Sequence, residues 1–344
     1  MSPRLRKVLL WIIYPVFYLV CFITFAFVTF PFNTLRDRIV VAFAEDQRKS
    51  SGDSRLEIDS LSSYWLSGVE AHGVRLISAP STKADGTKSP QSEIELDRAT
   101  ARVAILPLLF GNVAVSFSAE LFGGKINGST RTSGEDRSVS LEISNLSVGD
   151  ITPLADLVGL PISGALGGTV NFNLPEGKIA KATGSIALTI QDLAVGDGKA
   201  KIKDMIALPR LVVGDLELTC DVAEGRVSIT KFEAAGNDLD FVAEGKITLR
   251  EKPADSFADV SLRFKFSDKY KAKDANTQAL FGTPGSNAPA LIEMDPHVKQ
   301  SKRPDGFYGW RASGLVRAMR FDPAPSGGQG SGRGSGSGVR GGNR

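Results

Sequence analysis

The segment LFGGKINGSTRT, residues 121–132, places glycines around a lysine, a composition that is also found in phosphate-binding loops. In a Walker loop the lysine is followed directly by Ser or Thr, whose hydroxyl reaches the metal ion, and a helix follows. Here Lys125 is followed by Ile126 within alternating apolar and polar residues. We therefore interpret the glycines as a hairpin signal, with Lys125 facing solvent and Ile126 facing the apolar side.

The other residues capable of chemistry are few and scattered. The two histidines, His72 and His297, and the two cysteines, Cys21 and Cys220, offer neither a zinc ligand set nor an internal disulfide. We expect His72 on a strand or turn surface and Cys220 as a small buried hydrophobe. No G-x-S-x-G elbow is present. The G-x-G-x-x-G at 336–341 lies in a Gly-rich tail with no strand before it, so it reflects composition.

Paired acidic residues give no better candidate. Asp238 and Asp240 alternate with Leu239 and Phe241, which predicts the solvated face of a strand, and the spacing of a calcium loop is absent. The sequence thus predicts no catalytic residue, no metal site and no cofactor, and we expect a protein that is not an enzyme.

The composition is that of a folded chain with no nucleic-acid partner. Of the 344 residues, 42% are hydrophobic and 23% are charged, as in ordinary globular proteins. The formal net charge is only +3, and the aromatic residues do not interleave with basic ones.

An uncharged segment dominates the N-terminus. From Val8 to Leu35 there is no charged side chain, which is longer than the roughly 20 apolar residues that span a bilayer. A cleaved signal peptide is the alternative, because basic residues precede the run and Ala42-Phe43-Ala44 offers an A-x-A site. The run is about twice as long as a signal-peptide core, so we favour an uncleaved anchor.

The anchor defines the first part of the domain plan. We predict a cytoplasmic N-terminus over 1–7, a transmembrane helix over 8–32 and an amphipathic juxtamembrane helix over 33–52, with Asn33 as its N-cap. The numbers of Lys and Arg residues on the two sides of the anchor are nearly equal, so the positive-inside rule alone does not set the orientation. Large domains, however, translocate largely regardless of charge. We therefore expect the main domain, 53–325, outside the cytoplasm, followed by a disordered Gly/Arg/Ser-rich tail over 326–344.

Beyond residue 53 the dominant period is two. ADVSLRFKF (258–266) is the clearest case, and NVAVSFSAEL, SVSLEIS, GTVNFNL and GSIALTI repeat it. Such alternation predicts antiparallel strands with one wet and one apolar face, and their spacing predicts a β-meander. A weak repeat places glycine at the entry to several strands.

Three segments interrupt the alternation of apolar and polar residues. They are a polar excursion at 78–92, a short helix at 150–161, and an insertion at 268–305 with a short helix near 288–294.

The sequence resembles the general secretion pathway protein N (GspN) family of type II secretion systems, in the form with AsmA-like β repeats. The resemblance is carried, in order, by FPFNTLRDRI, LEIDSLSSYWLSGVEAHGVRL, LFGGKINGSTRT, DITPLADLVGLPISGALGGTVNFNL, KFEAAGNDLDFVAEGKITL and RASGLVRAMRFDPAP. It implies an extended, curved antiparallel sheet behind one transmembrane helix. It also implies a location in the Gram-negative inner membrane with the β domain in the periplasm, partners in the secretion machinery, and no catalytic residues.

The same AsmA-like relationship implies an alternative function, the binding or transfer of lipid along an apolar groove. The residues that would line either such a groove or a closed core are Val170, Phe172, Ile186, Ile190, Val260, Leu262, Phe264 and Phe266. Phospholipid is then a partner as well as the membrane. We favour a closed core, because a chain of this length offers few strands for a conduit that spans the envelope.

Overall fold

The computed structural model describes most of the chain between Thr29 and Ala324. The described residues are 29–50, 54–65, 67–78, 92–151, 160–199, 201–202, 206–207, 209–252, 255–283, 285 and 290–324, together with positions 11, 13–15, 17–18, 21–22 and 24–25. Several predicted segments lie wholly or largely outside them: the cytoplasmic N-terminus, much of the anchor over 8–32, the polar excursion at 78–92 except for its two end residues, most of the helix at 150–161 and the tail over 326–344.

No helix formed by these described residues combines the length and the apolar character needed to cross a membrane. The anchor over 8–32 therefore stays a prediction.

Strands make up most of the fold. In chain order they are β1 (Ser54–Tyr64), β2 (Gly68–Ser78), β3 (Ser92–Val103), β4 (Val113–Leu121), β5 (Gly124–Ser133), β6 (Asp136–Ser147), β7 (Ile162–Leu174), β8 (Thr183–Val195), β9 (Lys201–Ile202), β10 (Ile206–Ala207), β11 (Leu211–Ala223), β12 (Arg226–Ala235), β13 (Leu239–Thr248), β14 (Phe257–Phe266), β15 (Tyr308–Leu315) and β16 (Arg320–Pro323).

Short helices precede and interrupt the strands. They are α1 (Phe32–Ser50), α2 (Ile105–Leu109), α3 (Asp268–Lys271), α4 (Ala275–Phe281) and α5 (Pro296–Ser301), with 3-10 segments at Val148–Asp150, Pro175–Gly177, Ile179–Lys181, Leu291–Met294 and Val316–Ala318.

The strands form an antiparallel meander. Fourteen of them are hydrogen-bonded in the order β1-β2-β3-β4-β5-β6-β7-β8-β11-β12-β13-β14-β15-β16, while β9 and β10 form a separate pair. The sheet is open, because β1 and β16 are its two ends rather than neighbours. The mainly β, antiparallel meander predicted from the alternation is thus confirmed.

The chain divides into two compact units. Unit 1 comprises Met1–Val158 and Ser163–Ile190, and unit 2 comprises Gly159–Ile162 and Gln191–Arg344.

In unit 1, helix α1 packs on the first strands. Leu35 and Ile39, four residues apart on one helical face, contact the buried cluster of Leu61, Ala71 and Val74. The helix begins at Phe32, and the Leu35 amide donates to the Pro31 carbonyl at 3.2 Å. The expectation that Asn33 caps the helix is therefore wrong, because Asn33 already lies in its first turn.

The segment at 121–132 forms the hairpin between β4 and β5. Leu121 pairs with Gly124, and the two residues of the turn, Phe122 and Gly123, have φ values of 52° and 69°. Positive φ at both positions is typical of the tight turn that matches the twist of antiparallel strands. Lys125 is exposed and Ile126 half-buried, as the alternation predicts.

Glycine is not always at the entry to a strand, so the repeat was only partly right. Gly124 begins β5, but Gly245 lies in the middle of β13, opposite Val260 of β14. A Cβ at position 245 would overlap the carbonyl group of Asp259, so the close approach of the two backbones explains this glycine.

In unit 2, the insertion at 268–305 is folded. Helices α3 and α4 and a 3-10 segment at Leu291–Met294 precede α5. The helix expected near 288–294 corresponds to that 3-10 segment, and residues 286–289 lie outside the described residues.

The expectation that Asp238 lies on a solvated strand face is wrong. Asp238 precedes β13 and is buried, and its Oδ2 atom accepts a hydrogen bond from the Val212 amide at 2.9 Å. The Asp238 amide in turn donates to the Val212 carbonyl at 3.2 Å. Asp240, two residues later, is exposed on β13.

Gly128 provides a test of the packing in unit 1. It lies opposite Phe117 in the β4–β5 pair, and a Cβ at this position would overlap the phenyl ring. Because crowding in a packed region costs about 1–3 kcal/mol, we expect Gly128→Ala to lower the free energy of unfolding by roughly that amount. Chemical denaturation followed by far-ultraviolet circular dichroism measures this change.

Gly167→Ala on β7 is the matched control. A Cβ there would meet only the Ile143 carbonyl at 3.5 Å, which is ordinary contact. We expect a change within about 0.5 kcal/mol, or a small gain from replacing a strand glycine. Equal effects of the two substitutions would show that the Phe117 ring does not impose glycine at position 128.

Candidate binding surface on the apolar face of the sheet

In unit 1 the strand register brings apolar residues of successive strands into rows. Side chains directly opposite each other in an antiparallel pair share a face and contact one another. The rows across β4, β5, β6 and β7 are Phe117–Gly128–Leu141–Val170, Val115–Thr130–Val139–Phe172 and Ala119–Ile126–Ile143–Gly168. Two of the predicted residues, Val170 and Phe172, thus lie side by side with apolar neighbours on one face.

The next strand, β8, carries two more of the predicted residues. Ile186 and Ile190 occupy alternate positions of β8 with Leu188 between them, so the three share one side of the strand. We call the apolar side chains of β4–β8 the unit 1 apolar face. Its members are Val115, Phe117, Ala119, Ile126, Val139, Leu141, Ile143, Val170, Phe172, Ile186, Leu188 and Ile190.

Every residue of the unit 1 apolar face is half-buried, and none is fully enclosed. The fully buried apolar residues of unit 1 lie elsewhere, under α1 at Leu61, Ala71 and Val74, and at Leu146, Val148 and Ala182. Since the face is neither sealed like a core nor polar like a surface, it has the character of a binding surface.

The opposite side of the sheet in unit 1 carries polar side chains, both on β4–β8 and on β2 and β3. Ser140 of β6 donates to Asn171 of β7 at 2.7 Å. On β2, Glu70 accepts a hydrogen bond from Arg98 at 2.6 Å, which holds the pKa of the Glu70 carboxyl below its usual range although partial burial opposes this. His72 lies exposed beside them, with Nε2 3.0 Å from Glu70. The imidazole of His72 therefore lies beside the surface ion pair of Glu70 and Arg98.

In unit 2 the remaining four predicted residues lie together on β14. Val260, Leu262, Phe264 and Phe266 alternate along the strand; the first three have partners on both neighbouring strands, and Phe266 pairs with Leu239 on β13. The rows across β13, β14 and β15 are Phe241–Phe264–Tyr308, Ala243–Leu262–Trp310 and Gly245–Val260–Ala312. The predicted set thus forms two groups, one in each unit.

The inserted helices cover one end of this second group. The ring of Phe281 in α4 lies 4.2 Å from that of Phe266, and the ring of Tyr270 in α3 is stacked on Phe266 at 5.8 Å. Tyr270 and Phe281 are only 1% and 8% exposed. On the neighbouring strand the buried Tyr308 is stacked on Phe264 at 5.8 Å. At this end the face is therefore partly covered by buried aromatic rings, while Phe264 and Phe266 themselves are half-buried.

The hydroxyl groups of the two buried tyrosines have partners. The Tyr270 hydroxyl donates to the Pro209 carbonyl at 2.8 Å, and burial together with the nearby Asp238 and Asp274 raises the pKa of Tyr270 to about 12. The Tyr308 hydroxyl donates to Glu293 at 2.7 Å, and burial and this carboxylate raise the pKa of Tyr308 well above its usual range. Both rings are thus fixed at their polar ends as well as by stacking.

The alternation did not point to Tyr270 or Phe281, because neither lies on a strand. Local signals for their helices are nevertheless present in the sequence. Ser267 caps α3 by accepting from the Tyr270 amide, and Asp274 and Thr277 form a capping box at the start of α4.

Within the described part of the chain, no group of three or more His, Cys, Asp or Glu side chains is arranged to hold a metal ion. His297 lies exposed in the first turn of α5, and Cys220 is a buried free thiol on β11. Burial raises the pKa of the Cys220 thiol, assisted by Asp221, so the sulfur behaves as an apolar group.

Comparison with known proteins gives no relative. No protein-family model, no curated protein and no solved structure matches this chain.

The buried tyrosine at the covered end gives a pH-dependent prediction. Because the pKa of Tyr270 is about 12 in the folded protein and about 10 in an unfolded chain, its stabilising contribution is complete below pH 10 and is lost as the pH rises towards 12. Tyr270→Phe removes the hydrogen bond to Pro209, so we expect about 1 kcal/mol of destabilisation at pH 8. Denaturant titrations at pH 8 and pH 11 measure the difference between the two proteins.

The difference should shrink or reverse at pH 11, because only the parent protein then contains an ionisable group at position 270. Tyr64→Phe, on the half-buried end of β1, is the control and should change stability by less than about 0.5 kcal/mol at either pH. A difference between parent and Tyr270→Phe that is constant with pH would contradict the burial of this hydroxyl.

Proposed function

We propose that this chain is a non-enzymatic, inner-membrane-anchored component of a type II secretion system, of the GspN family, with an AsmA-like β domain in the periplasm and the N-terminus in the cytoplasm. The proposal starts from the resemblance of the six sequence segments. The observation that carries it is their placement: the first segment spans the start of α1, and the described parts of the other five follow one another along the meander that begins directly after this helix.

The described strands present extended surfaces on both sides of the sheet in unit 1. In unit 1 one side of the strands carries half-buried apolar residues, and the other side carries ion pairs such as Arg98 with Glu70. Such surfaces suit the binding of other envelope components, and the proposed partners are the membrane and other proteins of the secretion machinery.

Deletion of the gene in the source bacterium tests this function. We expect enzymes that are normally secreted to accumulate in the periplasm, because the export step across the outer membrane lacks a component, and we expect the full-length chain supplied in trans to restore secretion. Enzyme activities in medium, periplasm and cytoplasm are the measurement. Unchanged secretion, together with altered permeability of the outer membrane, would contradict the proposal.

We infer a second candidate function, the binding or transfer of phospholipid, from the half-buried state of the unit 1 apolar face. Apolar side chains that remain partly accessible to water gain free energy when an acyl chain covers them, at about 25 cal/mol per Å² of apolar surface. The row of Phe117, Leu141 and Val170 provides such a surface, and Thr130 is the polar residue among the rows of this face on β4–β7.

Site-specific photocrosslinking tests lipid binding with little change to the fold. We expect a benzoylphenylalanine in place of Phe172 to form adducts with phospholipid in isolated membranes, because this ring lies on the apolar face. The same replacement at Asn171 should form none, because Asn171 is exposed on the polar side of the same strand. Mass spectrometry of the crosslinked protein identifies the adduct.

Equal labelling at positions 171 and 172, or no lipid adduct at either, would contradict lipid binding at this face. Lipid adducts at position 172 together with normal secretion after gene deletion would favour lipid handling over the secretion function.

A further inference from the structure

One end of unit 1 exposes a cluster of large apolar side chains, which we call the apolar tip. It consists of Trp65 in the turn between β1 and β2 and of Ile105, Leu106, Leu108 and Phe110 in and after α2. Trp65 is 69% exposed, Leu106 71% and Phe110 81%. Exposure of this extent is unusual for side chains of this size, and in a cluster it marks an interaction surface.

The two parts of the apolar tip are held together by the ends of their strands. The Val103 amide at the end of β3 donates to the Ser67 carbonyl in the β1–β2 turn at 3.1 Å. Arg102 pairs with Gly68 and places its guanidinium 6.0 Å from the centre of the Trp65 ring. Helix α2 begins two residues after Val103, so Trp65 and α2 belong to the same end of the unit.

The N-terminal segment enters the unit at this same end. Only three residues join Ser50, the last residue of α1, to Ser54, the first of β1, so the helix and the strand run in opposite directions. The Arg36 guanidinium donates to the Asp59 carbonyl at 3.3 Å, which fixes their alignment. The start of α1 therefore points towards the Trp65 end of β1.

The chain that leads into α1 belongs to the uncharged run from Val8 to Leu35, of which 8–10, 12, 16, 19–20, 23 and 26–28 lie outside the described residues. Its last part includes Phe30, which is 47% exposed and whose ring lies 5.0 Å from that of Phe32. The apolar tip and the uncharged run are thus at one end of the same unit.

We propose that the apolar tip inserts into the interfacial region of a phospholipid bilayer beside the N-terminal segment. This proposal rests on the membrane anchorage that is part of the proposed function. Trp, Phe and Leu are the residues that enter the boundary between headgroups and acyl chains. The tip would thereby hold the sheet in a defined orientation on the lipid surface.

The charges around the apolar tip favour a lipid surface as its occupant. Neither 61–69 nor 99–119 contains an acidic residue, whereas Arg102 is exposed next to Trp65. An arginine beside an inserted indole lies at the depth of the lipid phosphates and pairs with them.

The quenching of Trp65 fluorescence by lipid tests this insertion in the full-length chain. Trp11→Phe with Trp310→Phe leaves Trp65 as the single tryptophan, and the control, Trp11→Phe with Trp65→Phe, leaves Trp310 on β15. Both proteins are reconstituted into phosphatidylethanolamine/phosphatidylglycerol vesicles that contain lipid brominated near the headgroup end of the acyl chain. We expect blue-shifted, strongly quenched emission from Trp65 and little quenching of Trp310.

Leu106→Asp with Phe110→Asp in the Trp65-only background should reduce the quenching towards the level of the Trp310 control, while unchanged circular dichroism shows that the sheet is retained. Protein that floats with the vesicles but leaves Trp65 unquenched overturns insertion and leaves the anchorage intact. A third outcome is a blue shift of Trp65 emission that occurs without lipid quenching and depends on protein concentration or on an added envelope protein. This outcome would assign the tip to protein docking and overturn lipid insertion. Protein that does not float with the vesicles overturns the anchorage and, with it, this proposal.

Discussion

The one-sided apolarity of the strands is the constraint on which the fold depends. Each strand of the meander pairs with its neighbours in the chain, and the first and last strands remain ends of an open sheet. An open sheet with one apolar face must cover that face with another layer or with a ligand. The two units of this chain meet the requirement in different ways.

Unit 2 covers part of its face with its own chain. The insertion after β14 returns as short capped helices, and Phe281 and Tyr270 lie against Phe266 while Tyr308 stacks on Phe264. The polar ends of the tyrosines are satisfied at Pro209 and Glu293, so the rings are buried without an unpaired hydroxyl. The closed core that we favour from the sequence for the whole predicted set stays a prediction, because Val260, Leu262, Phe264 and Phe266 are half-buried.

Unit 1 covers its first strands with α1, through Leu35 and Ile39, and the face of β4–β8 remains half-buried. The predicted residues Val170 and Phe172 belong to this accessible surface. It is the basis for the lipid-binding candidate, and it is also compatible with a secretion component that uses the surface for other partners. The apolar tip lies at the end where the N-terminal segment arrives, which would make the membrane a second contact of the same unit.

Local patterns predicted much of this fold and distant contacts were missed. Alternation of apolar and polar residues predicts β14, because successive side chains of a strand point to opposite faces. The turn at Phe122 and Gly123 was predicted because its signal lies in adjacent residues. Asp238 was assigned to the wrong environment because its partner, the Val212 amide, lies on another strand. The half-burial of Val170 and the exposure of Phe110 depend on which other elements of the fold cover these side chains. The spacing of apolar residues along the sequence does not contain that information.

The most direct measurement of the uncovered face is the phospholipid content of the full-length chain after purification in mild detergent, compared with that of Val139→Thr with Val170→Thr. These substitutions keep the size and the strand preference of the residues but place two hydroxyl groups in adjacent rows of the unit 1 apolar face. If the face holds acyl chains, phospholipid remains with the parent protein through gel filtration and is reduced in the variant. A parent protein free of phospholipid, or a variant that retains as much as the parent, would contradict the existence of an accessible lipid-binding face.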